Sequence, residues 1–492
     1  MVPLDGYGTL AAQKNISLIA AGSTSRVTNY NGSMIGAGVD GDGQPLDNDA
    51  QLNISATEKA SVNGNIVASG DFTVNSKAID LRASTTTAFN LHLTGLQGEQ
   101  ANTIDTTDAK ITVSKTFTAD ALKQLTTDRA TISAADFIFT AHDFSNIGGA
   151  ITQTSHNDWL LNFLGNFTNT GGTIKSNARH FSLTADHTLL EQARVEVGQL
   201  DLTSRYLSNR SGELRLIGTG LQKINISGQI DNTHGTLLSN GNLHLTLGQL
   251  DGLSLLNTAG TISALSGASL TINAEGRIDN TSGRIAATHL LNMRSGQLHN
   301  RWGKLLGQQA LNITSHALDN QGGLIQSQQL VDIHTQGHTL TNTDSGKESG
   351  ILSGGVIKLN ARELNNHQGL IASRNNININ LGLGTFNNSL GTLHTQGKLD
   401  IQSGLLNNQS GLIKATQALT LNTHGHALIN TDSGKDRGLA SEESVTIQAG
   451  ELDNRGGYLG AQNLSLTSTT VHNQQGTVYV WQDHLESICK FR

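Results

Sequence analysis

Four carboxylates stand within ten residues at Asp40-Gly-Asp-Gly-Gln-Pro-Leu-Asp-Asn-Asp49, a density that could hold calcium through oxygen ligands. The stretch lacks the spacing and terminal Glu of an EF-hand and is no repeating Gly-rich nonapeptide, so a flexible loop is the competing reading. Cleavage of a polysaccharide needs paired carboxylates, or Asp beside Arg or Lys, gathered on one face. Here Asp231, Asp279, Asp319 and Asp453 each stand directly before an Asn, as residues of solvated turns would. His338, His424 and His426 occupy Gly-His and His-Gly-His contexts with no Cys or carboxylate at ligand spacing, which favours turn positions over a metal. Asn15, Asn53, Asn225 and Asn312 open Asn-Ile-Ser/Thr sequons, which chance explains in a chain so rich in these residues. Cys489 is the single cysteine and can form no internal disulfide. No phosphate loop, dinucleotide motif or catalytic triad emerges, and the expectation is no catalytic residue, no cofactor and no metal.

At 492 residues the chain is too long for one compact core. Charged residues make up 14%, against roughly 25% in ordinary soluble domains. A net charge of −7 gives neither a basic footprint for nucleic acid nor a polybasic membrane patch, and it falls short of the charge typical of disorder. With 55 Gly and only 2 Pro, collagen and Pro-rich linkers are excluded. No apolar run of about 18 residues occurs, so no membrane-spanning helix is expected. The first residues, Met1-Val-Pro-Leu-Asp-Gly, lack the regions of a signal peptide.

The dominant signal is a repeat. The frame Φ-x-Asn-x-x-Gly-x-Φ, with Φ a large apolar residue, fits at Asn146, Asn169, Asn209, Asn232, Asn257, Asn280, Asn300, Asn320, Asn366, Asn388, Asn408, Asn454 and Asn473. All thirteen have Gly three residues on and Ile, Leu or Val five residues on. Asn342 and Asn430 carry one extra residue before the Gly, in Thr343-Asp-Ser-Gly-Lys347 and Thr431-Asp-Ser-Gly-Lys435. These two lie 88 residues apart, so a higher-order repeat overlies the basic one. The 40-residue gap from Asn169 to Asn209 is expected to hold a degenerate coil near Leu189–Val197. A second alternating pair follows most anchors, as in Leu311/Ile313 and Ile377/Ile379.

Alternation with period two means strands with one face buried. A unit of about 22 residues with two or three short strands reads as one turn of an all-β, right-handed parallel β-helix. Coils stacked at roughly 4.8 Å bring equivalent residues into ladders along the axis. Apolar ladders fill the interior, and Asn in a ladder can pair its amide with the copies above and below. The Gly three residues on is expected to supply a positive φ. Pro would remove a ladder donor, which fits its absence beyond Pro45. Three regions follow: an irregular β-helix over 1–143, regular repeats over 144–478 and a non-repetitive tail over 479–492. The first has long loops, above all Gly36–Asp49, and a short helix is expected around Ala119–Leu125. The regular region would hold roughly sixteen coils, a monomeric rod of order 75–80 Å. The tail carries Trp481, Cys489 and Phe491 in place of the Asn and Gly of the coils.

Leu364-Asn-Asn-His-Gln-Gly-Leu-Ile-Ala-Ser373 and Leu452-Asp-Asn-Arg-Gly-Gly-Tyr-Leu-Gly-Ala461 resemble the repeats of filamentous haemagglutinins and contact-dependent growth-inhibition effectors (CdiA type). The resemblance covers about two-thirds of the chain. It implies a large exoprotein exported through an outer-membrane two-partner-secretion transporter and secreted or displayed on the surface of a Gram-negative cell. That family's secretion domain carries Asn-Pro-Asn, and no Asn-Pro pair exists here. No toxin module follows the repeats, so both ends look cut. The expected role is a non-enzymatic stalk segment of an adhesin or growth-inhibition effector. The alternative is a β-helix face, including Arg301 and Trp302, that itself binds a carbohydrate or host receptor. Less favoured is an enzyme acting on polysaccharide.

Overall fold

The computed structural model describes residues 8–96 and 102–482, together with the backbone of 485–488. Cys489 and Phe491 lie outside the described residues. The chain divides into two units, Met1–Gly241 and Asn242–Arg492, and each is a parallel β-solenoid. In all there are about 22 turns with coils of about 21 residues, and the described residues contain no helix.

In the second unit a coil has three short strands and three corners. Lys304–Gly307 pairs in parallel with Leu324–Ser327, Ala310–Thr314 with Leu330–His334, and Leu318–Asp319 with Thr339–Thr341. The alternating sequence sends every second side chain inward. Ile262, Ile285, Leu305, Ile325, Ile351, Ile371, Leu393, Ile413, Leu439 and Leu459 form one ladder, all of it 0% exposed. Each such side chain contributes about 1.5–3 kcal/mol on burial, and stacking makes that burial depend on both neighbouring coils.

The first unit uses longer strands that run through what would otherwise be a corner: Asn65–Ser76, Thr85–Gly95, Lys110–Asp120, Thr131–Ala141 and Gln199–Ser208. Register shifts, such as the one between Val113 and Thr116, let these strands bend around the core. Its interior is partly aromatic. Phe137 stacks on Trp159 at 4.9 Å, and Phe144 stacks on Phe167 at 5.0 Å. The loop after Met34–Ala37 is held by an antiparallel bridge between Val39 and Pro45.

Two sequence expectations are corrected here and one is met. The segment Ala119–Leu125 is not helical: it contains the end of Lys110–Asp120 and the start of Gln124–Thr126. Ala119 and Ala121 are buried with exposed Asp120 between them, so pairing in the ladder overrides the helical preference of Ala. The coil expected near Leu189–Val197 is present, with strands His180–Leu189 and Arg194–Val197, and its corner has Leu190 and Ala193 in place of the Asn and Gly of the frame. Finally, the two irregular copies carry a longer insertion than one residue. Gly350 pairs opposite Leu324, and Gly438 opposite Leu412. Those partners lie four residues after their Asn, whereas Gly350 and Gly438 lie eight after Asn342 and Asn430.

Candidate functional site

The feature that the sequence repeats most faithfully is the corner at each Asn. The residue two positions on adopts a left-handed conformation, with φ of 51–57° at Ser211, His234, Ala259, Ser282, Trp302, Gln368, Leu390 and Ser410. Gly148, Gly171, Gly322 and Gly456 take the same place with φ of 61–63°. The positive φ therefore belongs to the residue before the conserved Gly, which corrects the sequence reading. The Gly is needed for space. At Gly323 a Cβ would lie 2.1 Å from the carbonyl oxygen of Asn300 and 2.5 Å from Oδ1 of Asn320. At Gly391 the corresponding distances are 2.3 Å from Asn366 and 2.7 Å from Asn388.

That space lets the Asn side chain turn inward. Asn146, Asn169, Asn232, Asn257, Asn280, Asn300, Asn320, Asn342, Asn366, Asn388, Asn408, Asn430 and Asn454 are 0% exposed, and Asn209 is 1% exposed. Asn473, at the last corner, is half-buried. From Asn257 to Asn473 each Nδ2 donates to the Oδ1 of the next Asn, through ten consecutive bonds of 2.6–2.8 Å. The second amide proton reaches backbone carbonyls, as from Asn300 to Gly303 at 3.2 Å and Leu324 at 3.3 Å. A buried amide left unpaired costs about 1–3 kcal/mol, so each Asn depends on the coils on both sides.

In the first unit the column starts with Thr127, whose Oγ1 donates to Asn146 at 2.8 Å; Asn146 then donates to Asn169 at 2.6 Å, and Asn209 to Asn232 at 2.7 Å. It breaks between Asn169 and Asn209, where Leu190 holds the corner. Oδ1 of Asn209 is consequently buried with no partner. Corners without Asn also lack the Gly: Leu190 goes with Ala193, Thr127 with Ala130, Thr106 with Ala109 and Leu81 with Ser84, each joined by the same turn hydrogen bond. A Cβ at the Gly position is tolerated where no amide oxygen is aimed at it. Leu190→Asn combined with Ala193→Gly should therefore join the two parts of the column and raise the melting temperature. Leu190→Asn alone should destabilise, because the new Oδ1 meets the Ala193 methyl.

The other sequence-selected residues are occupied with turn structure. The carboxylates of Asp231, Asp279, Asp319 and Asp453 accept the N–H of Thr233 (2.9 Å), Thr281 (3.1 Å), Gln321 (3.1 Å) and Arg455 (3.2 Å). Each thereby closes the turn that follows it. Arg301 is bound to Asp319 at 2.6 Å, and Arg455 to Asp453 at 2.6 Å. The Arg455 guanidinium holds the Asp453 carboxyl below its usual range. In the loop after Ala37, Asp40 Oδ1 accepts the N–H groups of Asp42 and Gln44 at 3.0 and 2.8 Å. Among the described residues no three His, Cys, Asp or Glu side chains come together as a metal site would require. His338 and His426 supply carbonyls to Thr335 and Thr423 at 2.6 and 2.5 Å in equivalent turns, and His424 takes the left-handed position. Of the sequon residues, Asn15 is exposed and accepts the Gln51 N–H, while Asn53 and Asn225 are half-buried on strands. Asn312 donates to Asn292 at 2.7 Å.

Sequence reasoning passed over Asp80, the most perturbed carboxyl. It is 5% exposed and receives Arg82 at 2.7 Å, Lys59 at 2.8 Å and Asn63 at 3.0 Å. Burial opposes its ionisation, yet these donors hold the carboxyl well below the usual range. Both oxygens are saturated by the chain itself, which makes it a structural tie between coils. The bond it forms is present above the unfolded-state pKa of about 3.9 and is lost as pH falls towards the depressed folded value. Melting curves should therefore separate wild type from Asp80→Asn at pH 7, and that separation should shrink progressively below about pH 4.

Ladders of inward apolar residues, a buried amide column and carboxylates consumed by turns define a class of protein, the β-solenoid built from stacked sequence repeats. The haemagglutinin repeat family matches residues 195–282, 282–345, 331–382, 352–428 and 425–479, more than half of the chain. The chain belongs to that family. It is also 29% identical over 167 residues, 34% of its length, to a protein of Yersinia pestis named Toxin CdiA. That stretch spans about 5% of the length of the curated relative. No solved structure matches the chain. Among the described residues no helix is long and apolar enough to cross a membrane.

Proposed function

We propose that this chain is a stalk segment of a large secreted or surface-displayed bacterial adhesin or contact-dependent growth-inhibition effector, a spacer rather than a catalyst. The observation that carries the reading is the uninterrupted run of ten amide bonds from Asn257 to Asn473, which ties each coil to the next. Such a column stiffens a repeat array without disulfides, and its residues face away from solvent and from any ligand. The Asp residues that could have served a polysaccharide-cleaving site are engaged as turn acceptors and Arg partners. Membership of the haemagglutinin-repeat family supports export through an outer-membrane two-partner-secretion transporter. The regular coils, 144–478, would be the spacer proper, with 1–143 an irregular β-helix leading into it and 479–492 a non-repetitive tail after it.

Deleting residues 343–430 from the exoprotein that carries this segment removes one 88-residue period in register. The spacer reading expects secretion and target-cell binding to persist while the reach shortens by about four coils, roughly 19 Å. Loss of target-cell binding with secretion intact would instead favour a receptor- or glycan-binding face within these coils.

A further inference from the structure

The 88-residue period builds one corner twice, and the two copies are finished differently. In both, the Gln of the preceding coil donates to the Asp of the inserted loop: Gln321 to Asp344 at 2.8 Å, and Gln409 to Asp432 at 3.0 Å. In the second copy Arg437 turns back along the solenoid edge. Its Nη1 donates to the carbonyls of Leu390 at 3.2 Å and Ser410 at 2.9 Å, which belong to the left-handed turn residues of two successive coils.

Eighty-eight residues earlier the same three places are held by Ser349, Trp302 and Gly322. Ser349 is too short to reach back, and its Oγ accepts the Gly346 N–H at 2.7 Å within its own loop. The carbonyls of Trp302 and Gly322 thus receive no counterpart of the Arg437 bonds from the described residues. Trp302 is 60% exposed, against 45% for Leu390 in the equivalent position. Its indole lies over Gly322, where a Cβ would be 2.6 Å from Cδ1.

We infer that the corner formed by Trp302, Gly322 and the 343–349 loop binds an arginine side chain of a partner polypeptide, in the manner that Arg437 binds the second copy. The chain supplies its own template for the contact. A guanidinium is planar, weakly hydrated and carries several donors, so it bridges two stacked carbonyls and lies against an indole face. The Asp344 carboxylate adds negative charge at the rim. An ammonium group presents a compact, strongly hydrated charge and fits the two-carbonyl arrangement less well.

The test uses the full chain carrying Trp481→Phe, so that a change in emission reports Trp302 while the buried Trp159, 1% exposed, gives a constant background. The probes are acetyl-Gly-Gly-Arg-Gly-Gly-amide and its Lys counterpart. The expected result is a saturable emission change with the Arg peptide and binding at least about tenfold weaker with the Lys peptide. Ser349→Arg should abolish the response by filling the corner from within. Arg437→Ser should open the second copy and double the stoichiometry measured by equilibrium dialysis. No saturation, equal response to both peptides, or full binding by a folded Ser349→Arg protein would overturn the inference. Should Ser349→Arg fail to fold, an unchanged stoichiometry in Arg437→Ser would overturn it equally.

Discussion

Ile371→Asp should unfold the coils around it and lower the melting temperature of the second unit sharply. Ile371 is 0% exposed and pairs directly with Ile351 and Leu393 in neighbouring coils. The substitution removes about 1.5–3 kcal/mol of apolar burial and places a carboxylate where no cation can reach it. Together these exceed about 4 kcal/mol, beyond the range of most single substitutions. Because each coil is stabilised chiefly by its neighbours, the damage should spread along the array. Hydrogen exchange followed by mass spectrometry should show lost protection at Gly350–Ser353 and Thr392–Thr395, with residues 8–241 unaffected. An unchanged melting temperature would contradict the assigned register.

Gly323→Ala should be nearly as damaging although it adds one methyl group. The new Cβ would fall 2.1 Å from the Asn300 carbonyl oxygen and 2.5 Å from Asn320 Oδ1. Both belong to the backbone and the amide column, which cannot yield without breaking ladder bonds. Overpacking of this kind usually costs about 1–3 kcal/mol, and the added loss of amide pairing carries it to the upper end or beyond. Part of the loss should be recovered by Gly323→Ala with Asn320→Thr, the combination the chain itself uses at Thr127 and Ala130. Thermal melts of the single and double variants decide this, and a double variant no better than the single would sink the proposed coupling between the two positions.

Much of this architecture is legible in residue order. Asn, the Gly three residues on and the flanking apolar pair mark each regular corner, because burial, close approach and inward packing each restrict the residue type. The left-handed position is not legible, since Ser, His, Trp, Leu, Gln and Gly all occupy it. Its conformation is imposed by the turn, and its side chain points to solvent, so nothing selects its identity. The insertion length misleads for a related reason. Gly346 falls where a one-residue insertion would place the frame's Gly, while Gly350, with φ of 113°, is the residue that rejoins the ladder. In the first unit Thr106, Thr127 and Leu190 replace Asn at corners of the same form, so the corner extends further towards the N-terminus than the Asn pattern reveals. The signal available there was the paired loss of Asn and Gly, legible only once their contact is seen.

The outer layer follows a different rule. Asp319, Asp453, Asn387 and Asn407 all close turns by accepting the N–H two residues on. The recurrence of acidic residues before the anchor Asn thus has a local cause in turn geometry, independent of any substrate. Trp302, 60% exposed at a left-handed turn position, belongs to a third group, the turn residues whose backbone carbonyls form the inferred arginine site.

The most direct measurement is side-chain amide exchange by NMR on protein labelled with ¹⁵N at Asn. With Nδ2 of Asn300 donating both to Asn320 and to backbone carbonyls, neither of its protons is free to exchange. The column from Asn257 to Asn454 should therefore show side-chain amide protons as protected as the backbone amides of adjoining strands. Asn side chains of the column that exchange as quickly as exposed ones, while the backbone remains protected, would show that the coils hold together without it.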